Sequence, residues 1–196
     1  MNRRIFMGAG VVAAAAALGI GEYLMISRNE PPTPLAGGVG GAFRLIDDNG
    51  KPFTNRDLLG KPAMIYFGYT FCPEVCPTTL THMSAWLHAL GPEAAKLRAV
   101  FVTIDPARDT AVKMKEYLSG FDPNIIGLTG TPAEIATIAR DYKVYYKKVP
   151  IPGGSYTMDH SSFIYLMTAK GDLAGLIDYG EPDTKAMAAI RRLLRG

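Results

Sequence analysis

Two thiols and three imidazoles are the side chains of this 196-residue chain best suited to redox or metal chemistry. Cys72 and Cys76 are its only cysteines, in Tyr69-Thr70-Phe71-Cys72-Pro73-Glu74-Val75-Cys76-Pro77. A bridge between them would close a very small loop, so chain-entropy stabilisation is a poor reason for the pair. Reactivity is the better reason: a dithiol can exchange disulfides or bind a soft metal. On a helix, residues four apart bring their Cβ atoms to about 5–6 Å on one face. Pro77 suits the first helical position, which would make Cys76 the cap and leave residues 72–75 as a tight loop. Either arrangement lets the sulfurs converge. The positive end of a helix favours a thiolate, so Cys76 is expected to ionise readily, with Glu74 opposing it.

The elements around the pair predict an α/β domain. Phe43-Arg44-Leu45-Ile46 and Lys51-Pro52-Phe53-Thr54 flank Asp47-Asp48-Asn49-Gly50, a hairpin with an Asn-Gly turn. Thr54 or Asn55 is placed to cap a short helical turn through Leu59. Residues 63–69 form a continuous apolar run, the mark of a strand buried on both faces. Leu80, Met83, Leu87 and Leu90 recur at helical spacing and predict a helix over residues 78–90, stopped by Gly91-Pro92. Residues 97–104 read as a second buried strand. Asp109 is a candidate cap for a helix ending at Leu118, and Thr131-Pro132 opens another that runs to about Tyr142. Residues 125–128 and 143–149 read as short extended pieces, and residues 150–158 as a loop. A strand over 161–168, a turn, a strand over 173–179 and a helix over 183–194 complete the chain. Helical crossovers early and a hairpin late give a mixed sheet flanked by helices, a thioredoxin-like layout with an N-terminal hairpin and insertions.

That layout separates the histidines. His82 and His88 fall on the helix after the thiols, facing away from Cys76, and read as surface or core residues. His160 lies just before the apolar strand that begins at Ser161. In a thioredoxin-like sheet the loop before this strand lies beside the reactive cysteines, and typical members carry a cis-proline there. Here a histidine stands in its place. Two thiolates and one imidazole form a soft three-coordinate set that selects Cu(I), with Cu(II) as a second state. A structural zinc site would want a fourth ligand. Met158 is near enough in sequence to offer a thioether, but a hydrophobic contact is the expected role.

Composition and charge narrow the partners. The formal net charge is +3. Most of that excess lies in residues 1–28, and the rest of the chain has no basic stripe for nucleic acid. Arg3-Arg4 precede an uncharged Gly/Ala-rich run over residues 5–21. Residues 1–26 therefore read as an uncleaved membrane anchor or a cleavable export signal, with Arg3-Arg4 either a twin-arginine motif or ordinary positive-inside residues. Residues 27–41, rich in proline and then glycine, read as a linker. The folded domain is expected over 42–196, outside the cytoplasm.

Three segments in order resemble the Sco/SenC family: the thiol stretch from Tyr69 to Pro77, Thr103-Ile104-Asp105-Pro106-Ala107-Arg108-Asp109-Thr110, and Asp159-His160-Ser161. The resemblance implies a membrane-tethered thioredoxin-like copper protein needed to assemble the Cu(A) centre of cytochrome c oxidase. It implies Cys72, Cys76 and His160 as copper ligands, and a periplasmic domain, or one in the mitochondrial intermembrane space of a eukaryote. Its partners would be the oxidase subunit carrying Cu(A), an upstream copper donor and a thiol reductant. No ligand role follows for the Asp105-to-Thr110 turn. The expected function is a metallochaperone rather than an enzyme. A thiol–disulfide oxidoreductase using a redox-active Cys72–Cys76 disulfide is the alternative; the longer spacing and His160 argue against it as the main role. A thiol peroxidase is disfavoured, because peroxiredoxins carry Thr or Ser three residues before the reactive cysteine and here Tyr69 or Pro73 stands there.

Overall fold

The structure is a computed structural model, and it describes residues 38–196. The anchor or export signal expected at residues 1–26, and most of the linker, lie outside the described residues. Among the described residues no helix is long and apolar enough to cross a membrane.

A seven-stranded mixed sheet runs in the order β2-β1-β5-β4-β3-β8-β9. β1 (Arg44–Asp47) and β2 (Pro52–Thr54) form the expected hairpin. Its turn is held by the Asp47 carboxylate, which accepts from the N–H groups of Asn49 and Lys51. Gly50 supplies the positive φ of 77° that the turn needs. Thr54 caps a short 3-10 turn (Asn55–Leu58) with Asp57. β3 (Ala63–Gly68) is an interior strand next to the central β4, and all six of its residues are buried. It pairs in parallel with β4 (Arg98–Thr103) and antiparallel with β8 (Ile164–Met167). β4 pairs in parallel with β5 (Ile125–Thr129), and β8 antiparallel with β9 (Leu173–Ile177). Helices α1 (Val75–Leu90), α2 (Ala111–Leu118), α3 (Pro132–Asp141) and α4 (Asp183–Arg195) complete the domain. Apolar β3 and β4 need cover on both faces, which helical crossovers supply.

Three local expectations are corrected. First, α1 begins at Val75, with Glu74 at the cap position. Pro77 therefore stands third in the helix, where its missing N–H is still one of the unpaired first-turn donors. Cys76 is inside the first turn rather than capping it. Second, the helix after the Asp105 turn is capped by Thr110, whose hydroxyl accepts from the Lys113 N–H. Asp109 is instead fully buried. Third, residues 150–158 are not all loop. β6 (Tyr146–Pro150) and β7 (Tyr156–His160) form an antiparallel ribbon that pairs with no strand of the main sheet. Its tight turn uses Gly153 and Gly154, both at positive φ. Local composition signals the turn, while the strands on either side carry no clear alternation of apolar and polar residues.

Candidate metal centre

β3 ends at Gly68, and the next residues leave the sheet as the thiol loop. Its position is fixed by Asp109. One carboxylate oxygen accepts from the Thr70 hydroxyl at 2.6 Å. The other accepts from the Thr70 N–H at 3.1 Å and the Thr103 hydroxyl at 2.6 Å. The residue expected to cap a helix thus binds the loop that carries Cys72 to the end of β4. Burial raises the Asp109 pKa, and the three donors work against that rise.

The structure brings the three sequence-selected residues together. One donor atom each from Cys72, Cys76 and His160 lie within 4.8 Å of one another, and no other Cys, His, Asp or Glu joins the group among the described residues. Cys76 is fully buried in the first turn of α1, while Cys72 is half-buried in the loop. His160 closes β7 and places Nε2 3.7 Å from the Cys76 sulfur. Its Nδ1 lies 2.8 Å from the carbonyl oxygen of Ser161. A carbonyl can only accept, so Nδ1 carries the proton and Nε2 presents its lone pair to the sulfurs. Tyr69 meets the His160 ring edge-on at 5.8 Å and restricts its rotation.

The sulfurs are unequal, in the opposite sense to the expectation from sequence. The Cys72 sulfur accepts the Cys76 N–H at 3.3 Å and so satisfies a free donor of the α1 N-terminus. Hydrogen bonding from the Cys76 thiol, then from the N–H groups of Cys76 and Glu74, draws the Cys72 pKa far below the ordinary thiol value; burial opposes this. Cys76 is pushed up, first because it donates its proton to Cys72 and then by burial. The dithiol therefore holds one proton, with the negative charge on Cys72. Position explains the exchange of roles: the helix N–H points at Cys72, while the Cys76 sulfur lies inside, under Tyr66. The Tyr66 hydroxyl donates to that sulfur at 3.5 Å.

Other candidates fall elsewhere. His82 is bonded to Asp183 at 3.0 Å, His88 is exposed, and Met158 packs in the hydrophobic core. Sequence reasoning missed the residues that tie β6–β7 to the thiol loop. Tyr69 and Thr157 share a hydroxyl–hydroxyl bond of 2.8 Å. The Tyr156 hydroxyl donates to Asp105, which is paired with Arg108. The Asp105-to-Thr110 segment could have drawn attention to this pair, but nothing in it points to Tyr156.

A dithiol at a strand-to-helix turn, joined by a histidine from a separate ribbon, defines a thioredoxin-like domain with a three-donor group that could hold a metal ion. A family model described as SCO1/SenC matches residues 32–195, and the chain belongs to that family. The SCO2-like protein of Rickettsia felis is 40% identical over 173 residues, covering 82% of this chain and 84% of the relative. Mitochondrial Protein SCO1 of Saccharomyces cerevisiae is 45% identical over 136 residues, 68% of this chain and 46% of that protein. Bradyrhizobium japonicum ScoI, solved with copper bound, is similar at 48% identity and a TM-score of 0.75, covering 79% of this chain and 99% of that one. Yeast Sco1, also solved with copper bound, is similar at 38% identity with the same TM-score of 0.75, covering 84% and 90%.

Proposed function

We propose that this protein carries one Cu(I) on Cys72, Cys76 and His160 and delivers it to the Cu(A)-bearing subunit of cytochrome c oxidase. The observation that carries the proposal is the convergence of two sulfurs and one imidazole nitrogen with no fourth donor among the described residues. That set suits Cu(I) better than a structural zinc ion. The copper-bound relatives support the choice of metal. Similarity to a Sco family described as cytochrome c oxidase assembly proteins supports the acceptor.

The geometry gives delivery an order. Cys72 and His160 are partly exposed, whereas Cys76 is buried and bonded to Tyr66. An incoming thiolate or imidazole from the acceptor forms its bond to Cu(I) as His160 or Cys72 lets go. Cys76 releases last, and copper is never free. Loading needs one proton to leave, that of Cys76, because Cys72 is already a thiolate. The domain operates outside the cytoplasm, in keeping with mitochondrial relatives and with the anchor or export signal expected at residues 1–26. A tether would raise the effective concentration of donor and acceptor at one membrane surface.

The unequal sulfurs also favour a second reading, thiol–disulfide exchange. The Cys72 thiolate would attack a substrate disulfide, and Cys76 would then resolve the mixed disulfide. The substrate gains two electrons and the pair is left as a disulfide. One experiment separates the readings: Cu(I) titration of the reduced protein against a chromogenic chelator, beside a disulfide-reduction assay. Wild type is expected to take about one Cu(I). His160→Ala should weaken binding more than about a hundredfold, beyond the range for losing only a ligand's supporting hydrogen bond. Wild-type copper affinity in His160→Ala, with fast disulfide exchange, would give the oxidoreductase reading precedence.

A further inference from the structure

We propose that Arg108 is a positioning residue for the metal group, holding the β6–β7 ribbon where His160 can complete a site with Cys72 and Cys76. The inference rests on the copper-binding reading above.

The ligands come from two parts of the chain that share no strand pairing. Cys72 and Cys76 belong to the β3–α1 junction, whereas His160 ends a ribbon whose strands pair only with each other. The short link from His160 to β8, which pairs with β3, brings the ribbon to the thiol end of the sheet, and side-chain ties fix its tilt there. Arg108 is the hub of those ties. Its Nε pairs with Asp105, which accepts from the Tyr156 hydroxyl at 2.9 Å. Its Nη1 donates to the Tyr156 carbonyl oxygen at 3.0 Å. The guanidinium also lies 3.7 Å from the Tyr156 ring centroid and 4.6 Å from that of Phe71. Lys148 lies 3.5 Å from the same Tyr156 centroid. Two cations this close to one ring occupy opposite faces, so Arg108 and Lys148 sandwich Tyr156, and Phe71 also lies against the guanidinium. Phe71 directly precedes Cys72, while Tyr156 opens the strand that His160 closes. Arg108 therefore links the residue before one ligand to the strand carrying another.

Leverage makes the tie matter. Tyr156 and His160 are about 13 Å apart along an extended strand, so a tilt of roughly 5° at Tyr156 moves the imidazole by about 1 Å. The Tyr69–Thr157 hydroxyl bond is a second tie, made by groups without charge. Stability alone is a weak reason for the arginine. Only 18% of its side chain is exposed, and its Nη2 is buried without a hydrogen-bond partner among the described residues. Well-packed apolar residues usually serve stability as well as a buried ion pair does. A lysine could not reproduce the fork, because one ammonium group cannot meet Asp105 and the Tyr156 carbonyl together while lying against two rings.

The test is a Cu(I) affinity cycle on wild type, Arg108→Ala, His160→Ala and the double variant, with copper K-edge spectra of each loaded protein. Arg108→Ala is expected to lower affinity about ten- to a hundredfold and to weaken the histidine nitrogen signal around copper. In the His160→Ala background the same change should alter affinity no more than about twofold, because the imidazole it positions is gone. Arg108→Lys should stay nearer to Arg108→Ala than to wild type, and the same cycle built on it decides the matter if Arg108→Ala does not fold. Equal losses in both backgrounds, or a wild-type nitrogen signal and affinity in Arg108→Ala, overturn the inference. A wild type that takes no Cu(I) overturns the copper reading, whereas a wild type that binds beside an Arg108→Ala that binds equally overturns this inference alone.

Discussion

Gly68, the last residue of β3, tests whether the buried sulfur is held as tightly as the structure indicates. A Cβ at this position would stand 2.8 Å from the Cys76 sulfur and 2.7 Å from an edge carbon of Phe101. Favourable carbon contacts lie at about 3.5–4.0 Å, so each neighbour must retreat by roughly 0.7–1 Å. Neither has room to do so, since Cys76 and Phe101 are both 0% exposed. Overpacking of this kind costs about 1–3 kcal/mol. We predict that Gly68→Ala destabilises the reduced, metal-free protein by that amount. The displaced sulfur should also weaken Cu(I) binding about ten- to a hundredfold, the range seen when a ligand's support is disturbed. Gly175→Ala supplies the control. Gly175 lies in β9, has no positive φ, and a Cβ there meets nothing within 4 Å. It should change stability by no more than about 0.5 kcal/mol and leave copper affinity alone. Urea unfolding and a chelator-competition titration of the three proteins are the assays. A Gly68→Ala protein that matches wild type in both would refute the packing of Cys76 against β3 described here.

Other predictions concern the proton and the loop. Cu(I) loading near neutral pH should release about one proton per chain, measured by pH-stat; release of two would contradict a shared-proton dithiol. Alkylation of Cys72 should be nearly independent of pH between about 6 and 8, where an ordinary thiol gains about tenfold per unit. The Cys72 pKa is lowered on folding, so its stabilisation is complete above the unfolded value and is lost as pH falls through the folded one. Cys72→Ser should flatten that part of the stability profile in urea titrations from neutral into acid pH. At Asp109, alanine would leave the Thr70 N–H and the hydroxyls of Thr70 and Thr103 without their acceptor, a loss of about 2–4 kcal/mol by urea unfolding. Asparagine should lose less, since its oxygen can serve Thr70 N–H and Thr103 while its amide donates to a rotated Thr70 hydroxyl. Burial raises the Asp109 pKa, so this carboxyl favours the fold most below its unfolded value, and that advantage falls as pH rises through the folded one. Asp109→Asn should remove that dependence.

Much of the frame was legible because local signals and tertiary structure agree. The Asn49-Gly50 turn, the apolar β3 and the Thr131-Pro132 helix start each carry their own chemistry, and each formed as read. Cys72, Cys76 and His160 could be chosen because the topology sets the strand after His160 beside the strand before Cys72, and β3 does pair with β8. What could not be read depended on contacts between distant segments. The ionisation order of the thiols follows from the hydrogen bond between them and from the deeper burial of Cys76, and no spacing rule distinguishes a cap from a residue in the first turn. Asp109 has the right type and place for a cap, but Thr110 serves instead, and Asp109 is bonded to Thr70 and Thr103 at the ends of β3 and β4. The ribbon's first strand is legible over residues 143–149, but β7 is not, because it shows no alternating apolar pattern.

These findings suggest why the third donor sits on a ribbon rather than on the sheet. The thiol pair is held by elements no metal site can adjust: β3 is wholly buried, and α1 places Cys76 by its own first turn. Any change there, as at Gly68, disturbs packing and redox chemistry together. His160 is different. Its strand pairs with one neighbour, and its position depends on a few polar ties to Tyr69, Asp105 and Arg108. On the proposed reading, affinity for Cu(I) can therefore be set through those ties while the dithiol keeps its geometry. A carrier must hold copper firmly enough to exclude free ions and loosely enough to surrender it. Under the proposed carrier function, firmness from the buried sulfur and adjustability from the ribbon histidine would meet both needs within one three-donor group.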